Sequence, residues 1–178
     1  MIKKILIVLS AVLLILMVYL YTQGLFASIE VVEQPMSGYR VMGIEHRGPY
    51  EKIGDAFNRI HTIADDHHVP VRMIGVYFDN PNEVAEDSLR SLAGVIVSVE
   101  DSLRLAAIPE LTSLIIPAGN AAVSNFETDD MVSMIIGAMK SYPKLTEYVA
   151  AKNKGQEVNF VYEVYGEGQT QYVMQFQE

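Results

Sequence analysis

The chain past residue 37 first has the pattern of a strand and then changes to a helical period. Residues 38–46 (GYRVMGIEH) form the predicted strand, and Pro49 follows at a position where a helix tolerates the missing N–H. Over 50–64 apolar residues recur every three or four positions, which predicts a helix with one buried face. Strands predicted at 71–78 and 92–99 complete a strand–helix–strand–strand unit.

The same order returns in the second half of the chain. Four segments have the strand pattern: 114–117, 121–126, 158–165 and 171–176. A helix is predicted between the second and the third, with Thr128 as its N-cap and a break or kink at Pro143. The apolar stripe of this helix contains three methionines, an isoleucine and an alanine: Met131, Met134, Ile135, Ala138 and Met139. We therefore expect an α+β fold, a duplicated βαββ unit with two main helices packed on an antiparallel sheet.

An apolar run without any alternation precedes this domain. Residues 5–21 (ILIVLSAVLLILMVYLY) carry no charge. A helix of that length extends about 25 Å, near the lower limit for the hydrocarbon core of a bilayer. Tyr19 and Tyr21 suit the membrane interface at its far end. The run predicts a single-pass transmembrane signal-anchor within residues 1–27.

The alternative for this run is a cleaved signal peptide. Such peptides have a shorter apolar core and end at a small-x-small cleavage site, and Leu25 before Ala27 fits that site poorly. The basic pair Lys3-Lys4 favours a cytoplasmic N-terminus. We therefore expect an uncleaved anchor, with the domain at 28–178 on the extracytoplasmic (periplasmic) side of the membrane.

The charge of the domain narrows the choice of partner. The chain has 22 acidic and 13 basic residues, and two of the basic ones, Lys3 and Lys4, precede the domain, which leaves it a formal charge of −11. Nucleic acids attract the opposite charge, so no nucleic-acid partner is expected, whereas a cation suits the field. The chain has no cysteine, and its four histidines lack metal-ligand spacing, so we expect neither a metal site nor a cofactor.

Three segments in this order resemble the GyrI-like small-molecule-binding family: HRGPYEKIGDAFNRI, GVYFDNPNEVAEDSLRSLAGVIV and VYEVYGEGQTQYVMQF. The resemblance covers about residues 38–176. It implies a pocket where the two βαββ repeats meet, as in the effector-binding domains of drug-responsive bacterial transcription activators. The anchor and the segment SYPKLTEYVAAKNK look most like the membrane-anchored branch, which includes a eukaryotic single-pass receptor for autophagy of the endoplasmic reticulum.

Glu163 is the leading candidate for a ligand-binding residue. The family's ligand-contacting glutamate precedes an apolar–Tyr pair on this strand, and Glu163-Val164-Tyr165 is similar to that pattern. An acid beside aromatic walls, with a glycine that leaves room, suits a small lipophilic or cationic molecule. The expected ligand-binding residues are Glu163, Tyr165, Tyr77, Tyr50, Gly75 and Phe57. The methionines of the second helix could line the pocket or belong to the core, and Glu163 could equally be a solvated residue on an open sheet face.

A binding protein is favoured over an enzyme, and two alternatives remain. Some members of the family are hydrolases of strained cyclopropane-type compounds. If this chain is one, Glu163 would be the catalytic residue, and otherwise the catalytic residues are unknown. A protein-interaction scaffold is the second alternative, so a protein partner is left open. A transcription regulator is not expected, because no DNA-binding segment is recognised before the repeat.

Overall fold

A computed structural model describes residues 1–152 and 158–176. Within these ranges there are four α-helices: α1 (Ile2–Thr22), α2 (Gly54–Asp66), α3 (Val99–Leu105) and α4 (Met131–Lys152). There are eight strands: β1 (Val32–Met36), β2 (Tyr39–Arg47), β3 (Met73–Tyr77), β4 (Arg90–Ile96), β5 (Thr112–Ile116), β6 (Gly119–Glu127), β7 (Val158–Gly166) and β8 (Gln169–Phe176). Short 3₁₀ turns lie at Tyr50–Lys52 and Glu86–Ser88.

The strands form one antiparallel sheet in the order β1-β6-β8-β7-β3-β4-β2-β5. The first βαββ repeat is β2-α2-β3-β4 and the second is β6-α4-β7-β8. Strands β3 and β7 pair at the centre, so an approximate two-fold axis passes between them. Strands β1 and β5 extend the two edges. The predicted α+β fold with a duplicated βαββ unit is confirmed.

The sheet is strongly curled. Only Ser37 and Gly38 separate β1 from β2, although β1 is at one edge of the sheet and β2 is next to the other. A two-residue link reaches about 11 Å at most, so the two ends of the sheet have to meet there. A Cβ on Gly38 would lie 3.0 Å from both the Ala118 nitrogen and the Ile116 oxygen. The link between β1 and β2 thus passes so close to the connection between β5 and β6 that only a glycine fits at residue 38.

Curling gives the sheet an inner and an outer face with separate cores. The inner face encloses a cluster to which every strand contributes, including Val41, Ile74 and Tyr162. The outer face is covered by α2 over the first repeat and by α4 over the second. Strand β7 alternates between the two faces, so Glu163 points to the helix-covered side. This face was considered open in one reading of the sequence, and the helices close it.

Helix α1 is uncharged beyond Lys3 and Lys4, its most apolar 18 residues have a mean hydropathy of 2.7, and none of its residues is buried. By length and composition it suits either a membrane span or a signal sequence. Twenty-one residues extend about 31 Å, somewhat more than the run of 5–21 alone.

The elements differ from the sequence prediction at three places. Strand β1 was not predicted, because its Pro35 weakens the strand pattern, which an edge strand tolerates. The strand expected at 92–99 ends at Ile96, and Ser98 then caps α3 by accepting a hydrogen bond from the Asp101 N–H. Thr128 does not cap α4. Asp130 does, since its Oδ1 accepts from the Ser133 N–H at 2.9 Å.

The second helix also differs from its prediction. Helix α4 continues through Pro143, because buried residues on both sides of the proline hold it against the sheet. The side that faces the sheet carries mostly small residues: Ser133, Ile136, Gly137, Ser141 and Leu145. A Cβ on Gly137 would lie 2.5 Å from the Tyr172 hydroxyl, which shows how close the helix comes. Met131 and Met139 consequently point outward, 75% and 71% exposed, and belong neither to the core nor to a pocket lining.

Candidate functional site

The central pair of strands places Glu163 directly across from Gly75. Each of these residues is followed by Val and Tyr, Gly75-Val76-Tyr77 in the first repeat and Glu163-Val164-Tyr165 in the second. The two triplets are thus equivalent positions about the approximate two-fold axis. Duplication predicted that these residues would come together, and the register brings them together at the centre of the sheet.

Glu163 is buried, with 7% of its surface exposed, and tyrosine hydroxyls bind both of its carboxylate oxygens. Tyr142 of α4 donates to Oε1 at 2.7 Å, and Tyr165 donates to Oε2 at 2.6 Å. The Tyr77 hydroxyl lies 3.4 Å from that of Tyr165. Three hydroxyl groups, from both repeats and one helix, therefore converge on one acid.

The electrostatics of this cluster are dominated by burial. Loss of solvent raises the pKa of Glu163, while the hydrogen bonds from Tyr165, Tyr142 and Tyr77 lower it and offset part of that effect. Burial and the nearby carboxylate both raise the pKa of the tyrosines well above the usual value, so the tyrosines stay protonated and act as donors.

The carboxylate of Glu163 has no basic partner in the described part of the chain, since none of the ion pairs there includes it. A buried charge stabilised by hydroxyl groups alone is costly compared with one paired to a cation. The site is consequently suited to receive a positive group from outside.

Gly75 and Phe57 shape the opposite half of the site. A Cβ on Gly75 would lie 3.1 Å from the Tyr77 hydroxyl and 3.2 Å from both the Phe57 ring and the Tyr165 hydroxyl. The Phe57 ring packs edge-on against Tyr165, with centroids 5.4 Å apart and an interplanar angle of 89°. The absent side chain of Gly75 thus makes the room in which the aromatic groups meet.

Tyr50 is positioned behind this cluster. Its ring packs edge-on against Tyr77 at a centroid distance of 4.9 Å, and its hydroxyl donates to the Asp79 carbonyl at 2.8 Å. Asp79 in turn pairs with Arg90 at 2.7 Å, which fixes the acidic connector between β3 and β4. Tyr50 therefore supports Tyr77 and has no direct hydrogen bond to Glu163.

Tyr142 is the site residue that the sequence analysis missed. A break or kink was expected at Pro143, and Tyr142 was not included in the apolar stripe of the helix. Its spacing of four from Ala138 and three from Leu145 is helical, and this signal could have identified it.

The site is closed in this structure. Two surface clefts of about 320 and 330 Å³ lie elsewhere. The first includes Arg72 and Gln171, the second lies between Ile29 and Tyr148, and Glu163 lines neither of them. Glu163 itself is only 7% exposed, and the side chains of Tyr142 and Tyr165 occupy both of its carboxylate oxygens. A ligand would therefore have to displace one of those rings. Among the described residues, no three His, Cys, Asp or Glu side chains are grouped as metal ligands.

Comparison with known proteins gives one family and several similar folds. The model of the GyrI-like small molecule binding domain matches residues 28–167. EcmrR in its complex with DNA is similar with a TM-score of 0.59 at 12% identity, covering 99% of this chain and 69% of that one. SAV2435 bound to tetraphenylphosphonium gives 0.56 at 11% identity, covering 83% and 94%. A hydrolase from Listeria innocua gives 0.51 at 8% identity, covering 83% and 92%. At these identities the likeness concerns the fold. A search of curated proteins gave no match.

Proposed function

Since the chain belongs to the GyrI-like small molecule binding domain family, we propose that it binds a small amphipathic cation where its two repeats meet. Glu163 is the charge partner of the ligand, and Tyr77, Tyr142, Tyr165 and Phe57 form its aromatic walls. The domain is held at a membrane by α1.

The observation that carries this proposal is the unpaired buried carboxylate. Glu163 has tyrosine hydroxyls on both oxygens and no basic neighbour among the described residues. A cation that enters supplies the missing opposite charge, and aromatic faces around it add a favourable electrostatic contact. The acidic surface of the domain favours the approach of the same ligands.

Access to the site requires a local rearrangement. Tyr142 is the movable member, because it reaches Glu163 from α4, whereas Tyr165 lies on the same strand two residues away. Pro143 removes one backbone hydrogen bond from the helix directly after Tyr142, which weakens the helix at this point. In the proposed bound state the ligand takes the place of the Tyr142 hydroxyl on Glu163.

The membrane part of the proposal rests on α1. The helix has 21 residues, is uncharged beyond the two lysines of its first turn, and is long enough to cross the hydrocarbon core of a bilayer. Lys3 and Lys4 at its start favour a cytoplasmic N-terminus, which puts the domain on the extracytoplasmic side. Lipophilic cations collect at the membrane interface, so a tethered binding domain meets them at a raised local concentration.

Binding is tested on the full chain in nanodiscs of zwitterionic lipid, with empty nanodiscs correcting for partition of the probe into lipid. The probe is tetraphenylphosphonium, with neutral triphenylphosphine oxide for comparison. We expect saturable binding of the cation that Glu163→Gln weakens at least tenfold, which is about 1.4 kcal/mol.

The matched control is Glu127→Gln, which removes the same charge from an exposed position on β6. It should leave the dissociation constant unchanged. Equal weakening of binding by both variants would mean that the net charge of the domain, and not a contact with Glu163, attracts the cation. Absence of binding by the wild type would overturn the proposal and favour the protein-interaction alternative.

Hydrolysis in the same site is a second candidate, favoured by the raised pKa of Glu163. A carboxyl group whose pKa is shifted upward by burial is a suitable general base for activating water, with the adjacent tyrosines as donors. Loss of a strained cyclopropane-type substrate in excess over the protein, abolished by Glu163→Gln, would establish turnover. Stoichiometric binding without substrate loss would exclude it for that substrate.

A further inference from the structure

The outer side of α4 carries a stripe of apolar residues that nothing in the described chain covers. We define this outer apolar face by four side chains: Met131, Met134, Ile135 and Met139. They are 75%, 36%, 53% and 71% exposed. Their spacing of three and four residues puts them along one side of the helix. A continuous exposed apolar patch on a soluble domain marks a contact surface.

The end of α1 and the residues that follow it are attached to α4 on both sides of this face. Before Met131, the Tyr19 hydroxyl donates to Oδ2 of Asp130 at 3.2 Å. After Met139, the Lys140 ammonium donates to the carbonyl oxygens of Leu25 at 2.5 Å and Gly24 at 3.4 Å. The outer apolar face therefore spans the same stretch of α4 that the end of α1 runs beside.

These contacts fix the depth of the face relative to a membrane that α1 crosses. The far end of a membrane-spanning helix, where Tyr19 lies, is at the level of the lipid headgroups, and tyrosines favour that level. Tyr21 and Phe26 are 68% and 60% exposed at the same end, with their rings 6.3 Å apart. Residues that lie beside Tyr19 consequently lie at the interface as well.

We propose that the outer apolar face of α4 is inserted in the interfacial layer of the membrane that α1 spans. The proposal rests on the anchor in the proposed function and goes beyond it, because it places one helix of the binding domain on the lipid. The contact is apolar, because the chain is acidic overall and Lys140, the basic side chain directly after the face, is hydrogen-bonded to the segment that follows α1. Insertion should therefore not require anionic lipid and should persist at high salt.

The placement gives α4 a second role. Three residues beyond Met139, the same helix presents Tyr142 to Glu163. Lipid thus contacts the helix that closes the site, and a ligand dissolved in the interface arrives next to it.

The absence of native cysteine allows a direct test with single-cysteine variants. The full chain is placed in zwitterionic liposomes with a polarity-sensitive fluorophore at Ile135→Cys or Met139→Cys, and quenched by spin-labelled lipid. The matched control is Asn58→Cys, on the exposed side of α2 in the other repeat. A fluorophore at Leu13→Cys reports on α1 separately. We expect a blue-shifted, lipid-quenched emission at 13, 135 and 139, and a water-exposed emission at 58.

Each other outcome has a definite meaning. Quenching at 13 but not at 135 and 139, with emission typical of water, overturns the proposal and leaves the anchor intact. A blue-shifted emission at 135 that lipid does not quench also overturns it, since a protein or a second copy then covers the face. No quenching at 13 removes the anchor itself, and with it the membrane part of the proposed function. Residues 135 and 139 are both exposed, so labelling is not expected to disturb the fold, and the second variant replaces the first if one of them misfolds.

Discussion

The two repeats have the same framework and differ at its centre. Both have a strand with an apolar–Tyr pair at or next to its end, and both have a helix that contributes one aromatic ring over the sheet. The first repeat begins its triplet with Gly75 and contributes Phe57, which has no polar group. The second begins with Glu163 and contributes Tyr142, which hydrogen-bonds to that acid. The symmetry of the two repeats therefore brings these side chains together at the centre of the sheet. The difference between the repeats provides one buried acid and the space beside it.

A symmetric version of this centre would not serve the same purpose. Residues directly opposite in an antiparallel pair have Cβ atoms about 5 Å apart, so two buried acids at 75 and 163 would repel each other. Two glycines would leave no charge for a ligand. One position that supplies space and one that supplies charge avoid both problems.

The largest effect should come from making the repeats alike at this position. We expect Gly75→Glu to destabilise the protein by about 3–5 kcal/mol, because it places a second carboxylate in the cluster and overpacks it. Gly75→Ala, which overpacks without adding charge, should cost about 1–3 kcal/mol. Unfolding of the full chain in detergent, followed by circular dichroism, measures both. A Gly75→Glu variant as stable as the wild type would mean that the centre of the sheet has room for two acids.

Removing the charge from the second repeat should change how stability depends on pH. Burial raises the pKa of Glu163 above its ordinary 4.5, so its contribution to stability is complete below pH 4.5 and is lost as pH rises through the folded-state pKa. Each pKa unit of that shift corresponds to about 1.4 kcal/mol. Glu163→Gln should lack this decline and be more stable than the wild type on the alkaline side. Melting temperatures measured upward from pH 4.5 test this, and Glu127→Gln should keep the wild-type slope.

The paired tyrosines allow a finer comparison between the repeats. Tyr165 donates directly to the carboxylate, so Tyr165→Phe should cost about 1.5–3 kcal/mol, as expected for a hydrogen bond to a charged group. The Tyr77 hydroxyl lies beside that of Tyr165, so Tyr77→Phe should cost about 0.5–1.5 kcal/mol. The free energies of unfolding of both variants are measured by denaturant titration at the same pH. Equal losses would mean that the two repeats contribute equally to holding the acid.

The sequence was sufficient for the parts of the molecule that follow simple periods. Alternation separated Tyr162 from Glu163 on β7, and duplication placed Gly75 opposite that acid. The curl of the sheet was not accessible, because it depends on the two-residue link at Ser37-Gly38 and on pairing between distant strands. Coverage of the Glu163 face by helices depends on the same tertiary packing.

Helix α4 misled the sequence analysis for a different reason. Patterns of hydrophobicity place large apolar residues inside, whereas α4 turns its methionines outward and uses Gly137 and Ser141 to approach the sheet. Small residues facing a sheet give no hydrophobic signal, although they allow the closest packing. A break or kink was expected at Pro143, but the helix is continuous there, since the low helix propensity of proline is outweighed by the burial of Leu145 beyond it.

The two repeats also differ in the outer faces of their helices, where a substitution is expected to have the smallest effect on stability. The outer side of α2 is polar, with Asp55, Asn58 and Arg59, whereas that of α4 is apolar. Ile135 is 53% exposed and Ile136 is 6% exposed, so the same substitution at neighbouring positions separates the two sides of α4. Ile136→Ala should cost about 2–5 kcal/mol in detergent, and Ile135→Ala about 0.5 kcal/mol or less. Equal losses in denaturant titrations would mean that the outer side is packed against the protein, which would remove the physical reason for placing it in the membrane interface.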